Sequence, residues 1–201
     1  MDTIMKDTGT LQGVSVKASD LLDLLTGAAI AAHPKSDLES LNGVRLEIKG
    51  DKLVAFATDR YRLLVGELES EGELTNSLIP LADIKRINAA LKALDKAELS
   101  REVVSLTRAG DILTVAIKGS TLTVIIPEGQ TPPPYEHLFT GEPAAISEIQ
   151  LNADYLAAFA KVPSSGGGQR FTFTGDTKPI KIKINHDNIN WRGLLMPMRT
   201  V

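Results

Sequence analysis

The chain has 201 residues, 43% of them hydrophobic, which is enough to bury one large core or two smaller ones without disulfides or metals. It contains no cysteine, so disulfide frameworks and zinc fingers are excluded. The formal net charge is −3, with 22 basic and 25 acidic residues, so any contact with DNA requires a local basic patch. One Trp and three Tyr are too few for a single-strand binder built on base stacking.

The sequence pattern gives no indication of membrane insertion or export. It has no run of about 18 apolar residues to span a bilayer. Residues 1–3 lack the basic start and the apolar stretch of a signal peptide. We therefore predict a cytoplasmic protein without a membrane partner.

Residues 12–68 predict a strand, a helix and three further strands. Residues 12–17 alternate apolar and polar side chains, as a half-buried strand does. Ser19 is a candidate N-cap for a helix that ends near Pro34 and carries apolar residues at three-and-four spacing. The three following strands are predicted at residues 41–48, 52–57 and 61–68.

The same order of elements then recurs. Residues 78–80 close a strand, and residues 81–94 form an amphipathic helix. Three strands follow at residues 102–107, 112–118 and 121–126, separated by glycine-containing turns. Residues 127–143 are too rich in proline for a strand or a helix and predict an extended connector.

A third unit follows the connector. Its predicted elements are a strand at residues 146–151, a short helix capped by Asn152 and running to Val162, and a flexible loop at residues 164–168. Strands at residues 170–174, 180–185 and 190–197 complete the unit. The chain is thus predicted to repeat a β-α-β-β-β pattern in an α+β fold.

No residue pattern supports catalysis. The three histidines, His33, His137 and His186, lie in different units without metal-ligand spacing. The glycines at residues 166–168 lead into a strand rather than a helix, which excludes a phosphate loop, and no serine nucleophile motif is present. We predict that the protein is not an enzyme and uses no metal or cofactor.

Two short motifs stand at the ends of predicted strands. The first, residues 57–63, reads Ala-Thr-Asp-Arg-Tyr-Arg-Leu, and the second, residues 196–199, reads Met-Pro-Met-Arg. Taken singly, the first is typical of a hairpin turn with a surface tyrosine and arginine, and the second of an edge strand. Methionine, however, also suits an adaptable binding surface.

Taken together, the two motifs resemble the bacterial DNA polymerase III β sliding clamp family. Residues 57–63 are similar to that family's Ala-Thr-Asp-Gly-His/Tyr-Arg-Leu signature, and residues 196–199 match its carboxyl terminus. Weaker similarities are the Leu-Asn-Gly-Val at residues 41–44, the Leu-Ile-Pro at 78–80 and the Pro-Tyr at 134–135. The resemblance covers about residues 12–201.

The resemblance implies a fold in which each domain pairs two β-α-β-β-β units, with helices inside, antiparallel sheets outside, and a ring of domains around duplex DNA. It also implies that the two motifs form a groove for short peptides of DNA polymerases and clamp loaders. Carried over by match, the groove residues are Thr58, Tyr61, Arg62, Leu63, Leu194, Met196, Pro197, Met198 and Arg199.

The same resemblance gives expectations for domains and assembly. Residues 1–139 look like a whole clamp domain, and residues 140–201 like half of the next one. Bacterial family members have six units, whereas three are present here. A ring of twelve units would need four chains, so a homotetramer is favoured, with a trimer or dimer left open. A shortened clamp would suit a phage or another mobile element.

Basic side chains that could face DNA phosphates are unevenly distributed. The helix that begins at Leu81 supplies Lys85, Arg86, Lys92 and Lys96, and the third helix supplies only Lys161. The first helix instead carries Asp20 and Asp23.

The leading hypothesis is a sliding clamp that acts as a polymerase processivity factor. The alternatives are a clamp-like adaptor or decoy that binds peptides without encircling DNA, and a structural oligomer with neither activity.

Overall fold

The computed structural model describes residues 13–198 except 128, 130 and 132. The first unit consists of β1 (Gly13–Lys17), α1 (Ala18–Ala28), β2 (Gly43–Lys49), β3 (Lys52–Thr58) and β4 (Arg62–Glu69). The second consists of β5 (Glu71–Gly72), β6 (Ser77–Pro80), α2 (Leu81–Lys92), α3 (Lys96–Arg101), β7 (Val103–Ala109), β8 (Ile112–Ile117) and β9 (Ser120–Ile125). The third consists of α4 (Ala153–Phe159), β10 (Arg170–Thr172), β11 (Ile180–Ile184) and β12 (Ile189–Leu195).

The strands form two antiparallel sheets, and this confirms the predicted α+β class. One sheet has the order β5-β1-β7-β8-β9 and the other has the order β10-β11-β12-β4-β3-β2-β6. The first two units therefore exchange their first strands, because β1 pairs with β7 and β6 pairs with β2. The third unit joins the first unit through the pairing of β12 with β4.

The main core lies between the sheets and the helices. The inward positions of β1, β3, β7 and β8 alternate with outward ones, as a pleated strand requires. Helix α1 packs against α2 and the sheets through leucines and small residues: Leu21, Leu24, Leu25, Gly27 and Ala28 are buried. The core extends without a break into the third unit, since Phe159, Ile182 and Trp191 belong to the same cluster.

The structure corrects the predicted start of the first helix. Ser19 is not its cap: the N-cap is Lys17, which makes no side-chain capping bond. The backbone N–H of Ala18 instead donates to the carbonyl oxygen of Glu102 at 2.9 Å, so tertiary pairing satisfies a donor that a cap would otherwise bond. The helix also ends earlier than predicted, at Ala28, and a single 3₁₀ turn follows at Ala29–Ala31.

Two further predictions were wrong. The helix from Leu81 ends at Lys92, and Lys96 opens a separate helix, α3, which is started by a capping box between Asp95 and Glu98. Residues 146–151 do not form a strand. That part of the chain meets its neighbours through isolated backbone bonds, such as the one from Met198 N–H to the Gln150 carbonyl oxygen at 2.8 Å.

A second, smaller core lies on the opposite face of the seven-stranded sheet. Residues of β3, β4 and β12 that point away from the helices form its floor: Val54, Phe56, Leu63, Val65 and Leu194. The proline-rich connector folds back over them, so that Tyr135 is only 5% exposed and its ring centroid lies 4.5 Å from that of Phe56. The connector thereby covers the seam between the first and third units.

Charged groups surround this small core. The Tyr135 hydroxyl accepts a hydrogen bond from Lys49 Nζ at 2.8 Å, and Lys49 also pairs with Glu47 at 2.8 Å. Arg192 on β12 bonds both Glu67 on β4 at 2.5 Å and Glu136 on the connector at 3.2 Å. One arginine therefore ties together the first unit, the third unit and the connector.

Titration of Tyr135 tests whether the connector is closed in solution. Burial raises the pKa of Tyr135 to about 12, although its hydrogen bond with Lys49 acts in the opposite direction. An ordinary tyrosine ionises near pH 10. The pKa is raised only in the folded state. The contribution of protonated Tyr135 to the free energy of unfolding is therefore complete below about pH 10 and is lost as the pH rises through about 12. We expect phenolate absorbance to show a late component near pH 12 that is missing in Tyr135→Phe. A late component that persists in Tyr135→Phe would contradict the assignment.

Candidate functional site

The turn between β3 and β4 is held by a dense set of local hydrogen bonds. Asp59 Oδ1 accepts the backbone N–H groups of Tyr61 at 3.0 Å and of Arg62 at 2.6 Å. Asp59 Oδ2 accepts Nε and Nη2 of Arg62 at 2.9 and 2.7 Å, and Asp59 is only 3% exposed. Thr58 Oγ1 donates to the Arg62 carbonyl oxygen at 2.7 Å and accepts the Arg60 N–H at 3.1 Å. The turn is therefore a rigid platform that presents Tyr61, which is 56% exposed.

The carboxyl-terminal motif lies directly beside this turn. In the β4–β12 pairing, Leu63 is opposite Leu194. Beyond β12, the Met196 N–H donates to the Tyr61 carbonyl oxygen at 2.8 Å. The structure thus brings together two motifs that stand more than a hundred residues apart in the sequence. Met196 and Met198 remain exposed on either side of Pro197. Arg199 lies outside the described residues.

The predicted groove leucines have a different environment. Leu63 and Leu194 are 4% and 3% exposed and lie in the small core with Tyr135. The exposed apolar surface at this place consists instead of Tyr61, Met196 and Met198. The two leucines support the surface from beneath.

The structure adds Tyr155, on α4, which the sequence analysis missed. The Tyr155 ring stacks on that of Tyr61 with centroids 5.9 Å apart, and Arg62 Cζ lies 4.4 Å from its centroid on the face of the ring. The Arg62 guanidinium is thus held by Asp59 and by an aromatic face. No local pattern links Tyr155 with Tyr61. Their contact depends on the β4–β12 pairing, which carries the third unit to the turn.

The predicted DNA-facing residues are all exposed. Lys85, Arg86 and Lys92 lie on α2, Lys96 begins α3, and Lys161 follows α4. Arg86 also pairs with Asp83 at 2.5 Å. Exposed basic side chains therefore occur in two regions: on α2 with the start of α3, and just after α4.

The acidic residues of α1 have a structural role that the sequence did not show. Asp20 accepts a hydrogen bond from Asn188 Nδ2 at 2.9 Å, and Asp23 Oδ2 lies 3.3 Å from His186 Nε2. His186 Nδ1 accepts the backbone N–H groups of Asn188 and Ile189, each at 3.1 Å, so Nε2 is the nitrogen that donates to Asp23. These acids bind the turn between β11 and β12.

Within residues 13–198, less the three positions named above, no group of three or more potential metal ligands comes together. Across the same described residues, no helix has the length and apolar character needed to cross a bilayer.

Comparison with solved structures defines the class of fold. The chain aligns over its whole length with 69% of a Pseudomonas aeruginosa DNA polymerase sliding clamp, at a TM-score of 0.78 and 18% identity. It aligns over its whole length with 68% of a Thermotoga maritima DNA polymerase III β subunit, at a TM-score of 0.77 and 15% identity. The fold is that of a sliding clamp.

Comparison of sequences gives the family. The model of the DNA polymerase III β subunit central domain matches residues 15–133. The Streptomyces coelicolor β sliding clamp is 32% identical over 157 residues, which are 77% of this chain and 40% of that protein. The β sliding clamp homologue GriR of Streptomyces muensis is 26% identical over 140 residues, or 69% of this chain and 36% of that protein. The chain belongs to the DNA polymerase III β subunit family, and it spans less than half the length of these relatives.

Proposed function

We propose that this protein is a DNA sliding clamp: an oligomeric ring that encircles duplex DNA in the cytoplasm and tethers a replicative polymerase as a processivity factor. The mechanism is topological and needs neither catalysis nor a cofactor. The ring raises the effective concentration of the polymerase at its template. The observation that carries the proposal is the joining of the Thr58–Arg62 turn to the Met-Pro-Met tail in a member of the β subunit family.

We propose that the surface around this junction binds short peptides of DNA polymerases and clamp loaders. Tyr61, Met196 and Met198 offer exposed apolar area, and aromatic and methionine side chains are enriched in such interfaces. Thr58, Leu63 and Leu194 support the platform, and Arg62, Pro197 and Arg199 complete the proposed set. Tyr155, which stacks on Tyr61, is an added member.

Replacement of both exposed methionines tests the peptide site. The variant Met196→Ala/Met198→Ala should weaken binding of a replicative-polymerase peptide by about tenfold or more, because central apolar anchors dominate such interfaces. Fluorescence anisotropy with a labelled peptide measures the loss. The matched control is Val103→Ala, which truncates an exposed apolar side chain on β7, away from the sheet edges. Equal affinities of the wild type and the methionine variant would refute the site.

We further propose that several copies form the ring. The division into residues 1–139 and 140–201 gives three units per chain, and four chains would supply twelve. Among the described strands, β9 and β10 are edge strands without a partner on their outer side, and β5 and β6 stand at the opposite edges of the two sheets. An unpaired edge favours strand addition, and strand addition between copies would extend both sheets. Light scattering across protein concentrations tests this: a stable tetramer is expected, and a persistent monomer would exclude the ring.

The DNA contact is proposed to be weak and independent of sequence. Lys85, Arg86, Lys92, Lys96 and Lys161 are exposed and would meet phosphates rather than base edges. We expect the protein to be retained on closed circular DNA and to be released when the DNA is cut once. If linearisation leaves retention unchanged, the protein does not encircle DNA.

A peptide-binding adaptor or decoy is the second candidate. One observation favours this function: a single chain contains both motifs of the peptide site. The backbone hydrogen bonds from Met196 to Tyr61 and from Met198 to Gln150 both form within that chain. The site could therefore act without a ring. Peptide binding by a protein that remains monomeric and is not held by circular DNA would favour this function.

A further inference from the structure

A separate pocket opens beside Tyr61. It has a volume of about 310 Å³ and lies between the segment that follows α1 and the turn between β3 and β4. We call it the Arg60 pocket, and its wall includes His33, Lys35, Leu38, Leu41, Arg60 and Tyr61. Because Tyr61 also belongs to the proposed peptide surface, a peptide bound there passes the mouth of this pocket.

The Arg60 pocket favours an anion. Arg60 and Lys35 are exposed cations, and Asp37 is an exposed carboxylate in the same wall. Asp59 also lines the pocket, but its charge is already paired with Arg62 and bonded to two backbone N–H groups. The remaining charges thus leave an excess of one positive charge at neutral pH.

The pocket also contains neutral donors and apolar walls. His33 Nδ1 accepts the Lys35 N–H at 3.3 Å, so the proton of the neutral ring is on Nε2, which is free to donate. Leu38 is 48% exposed and stands with Leu41 and Tyr61 as the apolar part of the wall. Such a wall fits a side chain that has a short apolar stem and a terminal carboxylate.

Arg60 has a backbone conformation that is unfavourable for a residue with a side chain. Its φ is +77°, in the left-handed region that glycine adopts readily and residues with a Cβ adopt at a cost. Among the described residues, the Arg60 guanidinium forms no hydrogen bond or ion pair. Strained residues that the fold does not require are found preferentially at functional sites.

We propose that the Arg60 pocket binds the carboxylate of an aspartate or glutamate in the peptide that occupies the Tyr61–Met196 surface. This inference rests on the proposed peptide-binding function. Arg60 provides the charge, Lys35 and His33 add donors, and Leu38 with Tyr61 packs on the stem. The protein thereby selects acidic partner segments over neutral ones that carry the same apolar anchors.

Selection from a random library of twelve-residue peptides tests the inference without assuming a partner. Wild-type protein and Arg60→Gly are used in parallel. We expect both proteins to enrich peptides with apolar anchors, and only the wild type to enrich an acidic residue at a fixed distance from them. Arg60→Gly should fold at least as stably as the wild type, because glycine relieves the left-handed conformation.

Affinity measurements then separate charge from backbone effects. For the best acidic peptide, exchange of its Glu for Gln should weaken binding to the wild type about fivefold to tenfold, in line with one hydrogen-bonded charge pair. The same exchange should have no effect on Arg60→Gly or Arg60→Gln. Arg60→Lys should keep part of the preference, and Arg101→Gln, which is exposed and does not line the pocket, should keep all of it.

The outcomes distinguish this inference from the function on which it rests. Apolar anchors enriched without an acidic residue would overturn the Arg60 pocket and leave the peptide site intact. No apolar enrichment on the wild type would overturn both. If Arg60→Gly weakens retention on DNA while the peptide preference is unchanged, the pocket is a phosphate contact and the inference fails.

Discussion

Replacement of Trp191 by alanine should lower the free energy of unfolding by about 3–5 kcal/mol, the range for large aromatic side chains in a packed core. Trp191 is on β12 of the third unit and is fully buried. Its ring reaches across the sheet junction to glycines of the first unit. A Cβ built on Gly27 of α1 would lie 2.4 Å from the ring, and one built on Gly66 of β4 would lie 2.6 Å from it.

The two glycines make the Trp191 prediction specific. If the ring fills the space that they leave, Gly66→Ala should also destabilise the protein, by about 1–3 kcal/mol, because it overpacks the same site. Trp191→Phe should cost less than Trp191→Ala. Phenylalanine keeps much of the apolar area, and it also removes the indole N–H, which is buried without a hydrogen-bond partner among the described residues.

Urea unfolding followed by circular dichroism measures these differences. Fluorescence is unsuitable because Trp191 is the single tryptophan. A loss of less than about 1 kcal/mol for Trp191→Ala would mean that the third unit is not anchored by this ring. A large loss combined with a two-step transition would show that the third unit detaches before the first two units unfold.

The sequence predicted the strands of the first two units well because the patterns that identify them involve only residues that are neighbours in the chain. Alternation of apolar and polar residues, with glycine-containing turns between them, identifies β7 and β8 almost to the residue, and a short apolar run does the same for β3. The capping box at Asp95 and Glu98 is also a local signal, but the sequence analysis did not identify it and extended the preceding helix to residue 94.

The parts that the sequence did not reveal depend on long-range pairing. Alternation shows that Leu63 and Val65 share a face of β4, but not that a proline-rich connector folds back to cover that face. Leu63 and Leu194 were therefore assigned to an open groove. In the same way, only the pairing of β12 with β4 places Tyr155 on Tyr61, and no spacing within the chain reports that pairing.

The hydrogen bonds of the turn between β3 and β4 explain why a short sequence motif identifies it. Each polar atom of Asp59 has a defined partner, and only a short carboxylate can reach two backbone N–H groups and an arginine at once. Thr58 bonds across the same turn. The geometry of the turn therefore accounts for the identity of these two residues, whereas, among the described residues, the Arg60 side chain makes no contact that holds the turn.

Asp59→Ala should have the second large effect, a loss of about 3 kcal/mol in the free energy of unfolding, because it leaves Arg62 without its carboxylate in a largely buried position. Only 14% of the Arg62 side chain is exposed, so water replaces the lost partner incompletely. The backbone N–H groups of Tyr61 and Arg62 lose their acceptor as well.

Two further variants separate the charge of Asp59 from its role as an acceptor. Asp59→Asn keeps an oxygen for the two backbone N–H groups and should cost less than Asp59→Ala, about 1–2 kcal/mol. The double variant Asp59→Ala/Arg62→Leu removes both charges and should recover part of the loss. Urea unfolding of the wild type, Asp59→Ala, Arg62→Leu and the double variant completes the cycle. If Asp59→Ala and the double variant are equally unstable, the ion pair does not hold the turn, and the hydrogen bonds to the backbone are the dominant contribution. If the double variant recovers stability but fails to bind peptide, Arg62, by itself or through its pair with Asp59, is needed for peptide binding and not for stability.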